Sequence, residues 1–241
     1  MQPGYSGGSA SVQRNNLKVP YVNYSYYTIE WKVDQGIGHL VLNQPPSNQM
    51  TVHFFQEMKK LQERVLQMKE LRAILIYGKG RHFSSGANLD ELLPKILAQD
   101  PHLDLEANYD ALRYFEDLQI PVISAIRGAC LGSALELALF CHFRFCGEDA
   151  VFGLPETNFN LIPGIGGIQR FSRLAGKARA LEYILTGRTF DAQTALELGL
   201  VDRIWPKKEV VDRALAFAKN LPASYVSEMR EVYLMRTVTR D

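Results

Sequence analysis

Two acidic residues, twenty positions apart, stand out in this sequence for what surrounds them. Glu136 lies within the run Ala134, Leu135, Leu137, Ala138, Leu139, a helix apolar nearly all round, which predicts a carboxylate largely out of water. Such a group is either half of a buried ion pair, with Arg127 or Arg144 as partner, or an acid or base of perturbed pKa. Glu156 follows Phe152-Gly-Leu-Pro155 and precedes IPGIGGIQR, a strand end beside a glycine-rich loop. That placement suits catalysis, an N-cap or a loop pin equally. If the two carboxylates meet in a dry site, they push each other's pKa values apart and can serve as one acid and one base.

Two glycine-containing loops, GANL at 86–89 and GACLGSALE at 128–136, each follow an apolar strand and open into a helix. Amides at a helix start lack an intrahelical acceptor and can hold an anion or a developing oxyanion. Small residues there serve tight packing just as well. Other chemistries are poorly supported. His39, His53, His82, His102 and His142 show no metal-ligand spacing, and His142 reads as a cation at the C-terminal end of an apolar helix. Cys130, Cys141 and Cys146 form no CxxC pair, so no metal site is expected, and a reduced compartment fits. Ser84, Ser85 and Ser133 lack a GxSxG elbow, which argues against a serine hydrolase.

The elements that must carry these groups follow from periodicity. Thr28–Val33 and Gly36–Leu42 read as a hairpin about Asp34-Gln35-Gly36, stopped by Pro45 and Pro46. From Thr51 to Lys69, Val52, Phe55, Met58, Leu61, Val65 and Met68 recur at three- and four-residue steps, an amphipathic helix with Thr51 as N-cap. Arg72–Tyr77 is a short apolar run that suits a strand buried on both faces. Helix Asn108–Leu118 and strand Pro121–Ile126 repeat that order, and strands are expected around Arg144–Cys146 and Ala150–Gly153. From Gly166 onward the period is helical, broken at Gly176, Gly187 and Gly199, with one strand at Leu200–Ile204. The fold class is mixed α/β.

With 46% hydrophobic and 22% charged residues in 241, the chain can bury a core of its own. Lys+Arg at 27 against Asp+Glu at 26 leaves +1, without the positive field that phosphate backbones need, so no nucleic acid partner is expected. No secretory signal and no run of about 18 apolar residues is seen, which points to a cytoplasmic protein away from membranes. Residues 1–20, rich in Gly, Ser, Gln and Asn, read as a flexible extension; 21–206 read as the core domain and 207–241 as a C-terminal helical region.

HFSSGANLDEL at 82–92, PVISAIRGACLGSALELALFC at 121–141 and FGLPETNFNLIPGIGGIQRFSRLAGKARALEYILTGRTFDAQTALELGLVDRI at 152–204 resemble, in order and spacing, the crotonase superfamily, typified by enoyl-CoA hydratase. The resemblance covers about residues 28–206 and implies a spiral of ββα turns. It implies that the amides of Ala87 and Ser133 form an oxyanion hole for an acyl-thioester carbonyl and that Glu136 and Glu156 are the catalytic pair. Coenzyme A enters as part of the substrate rather than as a cofactor, with Arg81, Ser85, Gly86, Leu89 and Gly132 as binding positions. A homotrimer or hexamer is implied as the assembly. Three departures stand out: Gly132-Ser133-Ala134 replaces the family's triple-glycine run, Asp90 replaces a frequent lysine, and 207–241 is a shortened version of the family's C-terminal helices. The second admits a phosphopantetheine-bearing carrier protein in place of CoA.

Both carboxylates being present favours a hydratase, adding water across or removing it to form the α,β double bond of an acyl-CoA. The alternatives are an isomerase that uses Glu156 alone, and a non-catalytic acyl-CoA-binding protein of the same fold. Phe115, Leu118, Leu161 and Ile162 are candidates for the acyl pocket or for ordinary core.

Overall fold

A computed structural model of the chain describes residues 24–65, 70–100 and 104–222. The short strand β1 (Tyr24–Ser25) runs antiparallel to β2 (Ile29–Asp34), which pairs with β3 (Ile37–Leu42) from Ile29↔Leu42 to Asp34↔Ile37. The turn between them holds Gln35 at φ 50° and Gly36 at φ 78°, the left-handed backbone that lets a two-residue hairpin follow the twist of its strands. Helix α1 (Val52–Val65) begins as expected, with Thr51 Oγ1 accepting from the Phe54 amide at 3.3 Å. Its expected continuation to Lys69 lies outside the described residues, as does the 1–20 extension.

The chain then runs through β4 (Ala73–Gly78), α2 (Leu89–Leu97), α3 (Leu105–Asp117), β5 (Val122–Ile126), β6 (Ala129–Leu131) and α4 (Ser133–Phe140). Next come β7 (Phe143–Gly147), β8 (Val151–Gly153) and a 3-10 turn at Pro155–Phe159. The remaining elements are α5 (Gly167–Ala175), α6 (Lys177–Thr186), β9 (Phe190–Asp191), α7 (Ala192–Glu197), β10 (Arg203–Trp205) and α8 (Val210–Asn220). Seven strands form one sheet in the order β1-β2-β3-β4-β5-β7-β10, and β6-β8-β9 form a second. Strand, short strand and helix recur as β5-β6-α4 and as β7-β8 with the helices that follow. An abbreviated copy is β4, a Ser84↔Cys130 bridge and α2.

The parallel strands are apolar on both sides because both sides are covered. Ile74, Ile76, Val122 and Ile126 face a core shared with α1, α3 and α4, whereas Leu75, Ile123, Ala125 and Phe145 pack with Val210, Ala214 and Ala218 of α8. Helix α4 is buried at every position, Ser133 to Phe140. Within the expected C-terminal region 207–241, α8 is helical as its period implies, and residues 223–241 lie outside the described ones.

Three sequence expectations change. The strand expected at Leu200–Ile204 is Arg203–Trp205, parallel to β7. Leu200 and Val201 instead donate their amides to the Ala195 carbonyl and close α7. His142 is no cation at a helix end: α4 stops at Phe140, and His142 Nδ1 accepts the Val122 amide at 2.9 Å, which requires that nitrogen unprotonated. Helix α2 starts at Leu89 with Asn88 as its cap, so the Gly86-Ala87 amides precede the helix rather than form its first turn.

Candidate active site

Two loops are stitched side by side at the ends of β4 and β5. The Ser84 amide donates to Ala129 O at 3.0 Å, and the Leu131 amide donates to Ser84 O at 3.3 Å. Buried Ser84 Oγ accepts from the Gly86 amide at 3.0 Å. The contact leaves no room for a side chain, since a Cβ on Gly86 would lie 2.4 Å from the Leu131 carbonyl oxygen.

Amide bookkeeping along the first loop is informative. Ser85 N donates to Ser47 O at 2.9 Å and Asn88 N to Met50 O at 3.0 Å. With Ser84 and Gly86 also engaged, Ala87 is left as the amide of this run without an acceptor among the described residues. In the second loop Gly132 N donates to Gly153 O at 2.9 Å, and Ser133, as the first residue of α4, has an amide that no intrahelical carbonyl can reach. Gly132 holds φ 54° to turn the chain into that helix. Two N–H groups without an acceptor among the described residues therefore flank the Gly86–Leu131 contact. Such groups are costly to bury unless something accepts from them.

Glu136 is one turn into α4 and 1% exposed. Neither arginine considered from the sequence is its partner. Arg127 donates to Gly78 O, and Arg144 donates to Leu200 O and Cys141 O and pairs with Asp202. Instead, Glu136 Oε1 accepts the amides of Ile165 and Gly167, each at 2.8 Å. Burial raises its pKa to about 7 against the opposing pull of these amides and of the nearby Arg170 charge.

Glu156 sits in the 3-10 turn, where Pro155 takes the first helical position. Leu154 is the N-cap residue and no side chain caps the turn, so Glu156 is not a cap. Its Oε1 lies over the second loop, 3.1 Å from where a Cβ on Gly132 would be. Its Oε2 is buried with no hydrogen-bond partner among the described residues, as is Ser133 Oγ. Burial, and then repulsion from Glu136, raise the Glu156 pKa to about 7. Two carboxylates twenty residues apart are thus both desolvated and close enough to repel each other, with Glu156 Oε1 lying over the Gly132-Ser133 loop.

The other expected positions fall around this centre less tightly. Gly86 and Gly132 line the loop contact; Ser85 and Leu89 are half-buried on the first loop and at the start of α2; Arg81 is exposed in the turn after β4. Of the acyl-pocket candidates, Phe115 is core at 3% exposure, Ile162 is 72% exposed, and Leu118 and Leu161 are intermediate. Among the described residues no His, Cys, Asp and Glu cluster could hold a metal ion, and no helix is long and apolar enough to cross a membrane.

Sequence reasoning missed the residues that hold Glu136. The donors Ile165 and Gly167 belong to the IPGIGGIQR segment, whose sequence shows only that it is glycine-rich. Arg170 follows in α5, where Gly167, Arg170 and Phe171 are the buried positions. A charged residue on the core-facing side of a helix was the available signal.

Comparison with known proteins agrees with this architecture. Residues 32–240 match the enoyl-CoA hydratase/isomerase family model. A probable enoyl-CoA hydratase of Bacillus subtilis (strain 168) is 36% identical over 210 residues, covering 85% of this chain and 81% of the relative. The crystal structure of an enoyl-CoA hydratase from Bacillus anthracis superposes with a TM-score of 0.78 at 31% identity, covering 86% of this chain and 82% of that one. A Thermobifida fusca YX protein solved in complex with CoA superposes at 0.77 with 27% identity, covering 89% and 86%. The chain belongs to the enoyl-CoA hydratase/isomerase family, a family of enzymes built on the ββα spiral.

Proposed function

We propose that this protein is a hydratase of 2-enoyl-CoA thioesters, or in reverse a dehydratase of 3-hydroxyacyl-CoA. The observation that carries the proposal is the unequal support of the two carboxylates. Glu136 has two amide donors on one oxygen and Arg170 nearby, whereas Glu156 Oε2 has none. When the pair holds a single proton, that proton is stabilised on Glu156 and the charge on Glu136.

That distribution suits hydration. Glu136 takes a proton from water as the water oxygen bonds to Cβ. The π electrons move through Cα toward the thioester oxygen, and the amides of Ala87 and Ser133 stabilise the enolate charge there. Glu156 then delivers its proton to Cα, the carbonyl re-forms, and the proton on Glu136 passes through solvent to restore Glu156. Preorganised donors in a site closed to water supply several kcal/mol of such stabilisation. Arg81, Ser85, Gly86, Leu89 and Gly132 form the approach for the CoA moiety, or for the phosphopantetheine of a carrier protein. A cytoplasmic homotrimer or hexamer is the assembly that accompanies this reading.

Support comes from the hydratase descriptions of the Bacillus relatives and from the CoA-bound Thermobifida structure. The test is turnover of crotonyl-CoA. Glu136→Gln and Glu156→Gln should each lower kcat/KM by about 10²-fold or more. The parent profile should be bell-shaped, with its limbs on either side of about 7. Full activity in Glu136→Gln together with isomerisation of a 3-enoyl-CoA would replace this reading with the single-glutamate isomerase. Binding of acyl-CoA without turnover of any enoyl or hydroxyacyl thioester would replace it with a binding protein.

A further inference from the structure

Arg170 joins three helices, α3, α4 and α5, near Glu136. It is 8% exposed, forms an ion pair with Glu116 of α3, and donates from Nη1 to the Gly166 carbonyl at 3.1 Å. Its guanidinium lies 3.9 Å from the ring centroid of Phe140, one helical turn beyond Glu136 on α4. The fit against the turn is close. A Cβ on Gly166 would come within 2.3 Å of Arg170 Nη1 and 3.0 Å of Tyr109 Cε2. Gly166, at φ 86°, thus presents its carbonyl to the arginine while the next residue, Gly167, gives its amide to Glu136 Oε1. The base and the arginine hold opposite sides of one turn.

A core helix junction has no need of a guanidinium, whose desolvation must be offset by every contact it makes. Here the charge is close enough to favour the ionised form of Glu136. We infer that Arg170, braced by Glu116 and Phe140, is a positioning residue for Glu136: it fixes the turn that grips the base, and Glu116 sets how much of its charge reaches the pocket. This deepens the hydratase reading and rests on it for the role of Glu136. Among the described residues, the charged and titratable groups around Glu136 are Glu156 from the 3-10 turn, Arg170 from α5, and Glu116 and Tyr109 from α3. Arg173 lies on the far side of Glu116, 3.7 Å from it.

The experiment uses Arg170→Gln, Arg170→Lys and Glu116→Gln in the full chain, with Glu136→Gln as reference. Crotonyl-CoA kinetics are measured across pH, and the Glu136 carboxyl is titrated by 13C NMR, its resonance identified by loss in Glu136→Gln. Removing the cation in Arg170→Gln should move the low-pH limb and the NMR titration to higher pH by roughly half a unit or more. It should also lower kcat about 10- to 100-fold, with KM within about threefold of the parent. Glu116→Gln, which removes an anion and frees the arginine charge, should move both readouts to lower pH. Arg170→Lys should restore the titration but only part of kcat, since an ammonium cannot span Glu116 and Gly166 as a planar fork does.

A purely structural brace would lower stability and kcat while leaving the titration in place, and that result overturns the inference. So do shifts of the same sign in Arg170→Gln and Glu116→Gln. If Arg170→Gln does not fold, the direction of the Glu116→Gln shift decides alone: lower pH supports the inference, and no movement or a rise overturns it. The NMR titration needs no turnover, so it reports on Arg170 even if the hydratase reading fails. Conversely, an active Glu136→Gln overturns that reading without touching the titration.

Discussion

Gly167→Ala adds one methyl group directly against the Glu136 side chain. The new Cβ would lie 2.8 Å from Glu136 Cγ, 2.9 Å from Oε1 and 3.2 Å from Cδ. Unstrained contacts of this kind need about 3.5 Å or more, so the carboxylate must withdraw by roughly 0.5–1 Å. The Gly167 amide now holds Oε1 at 2.8 Å, and that bond stretches beyond useful length. A displacement of about 1 Å in a reacting group costs on the order of 10²-fold in rate, close to 2.7 kcal/mol of barrier. The fold should change little, because Gly167 has no positive φ and opens α5, where alanine is the better helix former by up to about 1 kcal/mol. Crotonyl-CoA hydration and thermal unfolding, followed side by side, separate the two effects: kcat should collapse while Tm stays within a few degrees. Gly176→Ala is the mirror control. It has φ 86° with ψ 149°, a region essentially confined to glycine, and nothing within 4 Å, so it should cost about 1–3 kcal/mol of stability and leave kcat alone. Turnover of Gly167→Ala within threefold of the parent, with the fold intact, would refute the claim that this amide positions the base.

Two further outcomes follow from burial. The Glu136 pKa rises from the ordinary 4.5 to about 7, so the folded state favours the protonated acid; its stabilising share is full below 4.5 and lost as pH climbs through about 7. Glu136→Gln should therefore unfold at a higher temperature than the parent at pH 8, by an amount on the order of 2–3 kcal/mol or roughly 5–10 °C, and the gap should close toward pH 5. An equal Tm at both pH values would show that the carboxylate is not strained by burial. Cys130, Cys141 and Cys146 are all buried, and desolvation raises all three thiols well above their ordinary range, Cys141 and Cys146 to about 12. Iodoacetamide at pH 8 should label none of them in the folded protein and all of them in denaturant, as read by intact mass.

The long-range apolar runs were legible in the sequence because β4 and β5 are covered on both faces, and α4 because it is buried on every side. The helix breaks at Gly176, Gly187 and Gly199 were legible for a local reason, since all three adopt positive φ. What joins distant segments was not. Glu136 is held by amides 29 and 31 residues away, and no periodicity in either segment encodes that meeting. The two-residue strand at Phe190–Asp191 is too short to carry a period. Leu200 and Val201 looked like strand because apolar runs read alike whether they close a helix or enter a sheet. The convergence of Glu136 and Glu156 came from the family resemblance and from no feature of spacing.

The seam where Gly86 meets the Leu131 carbonyl also bears on how such a protein diversifies. Because the first loop cannot gain even a methyl group at that point without prising the second away, neither strip of backbone is free to drift alone. Substitution at Arg81 and Asp90, both exposed, meets no such limit. New substrates for this scaffold would come from repainting the doorway while the anvil stays fixed.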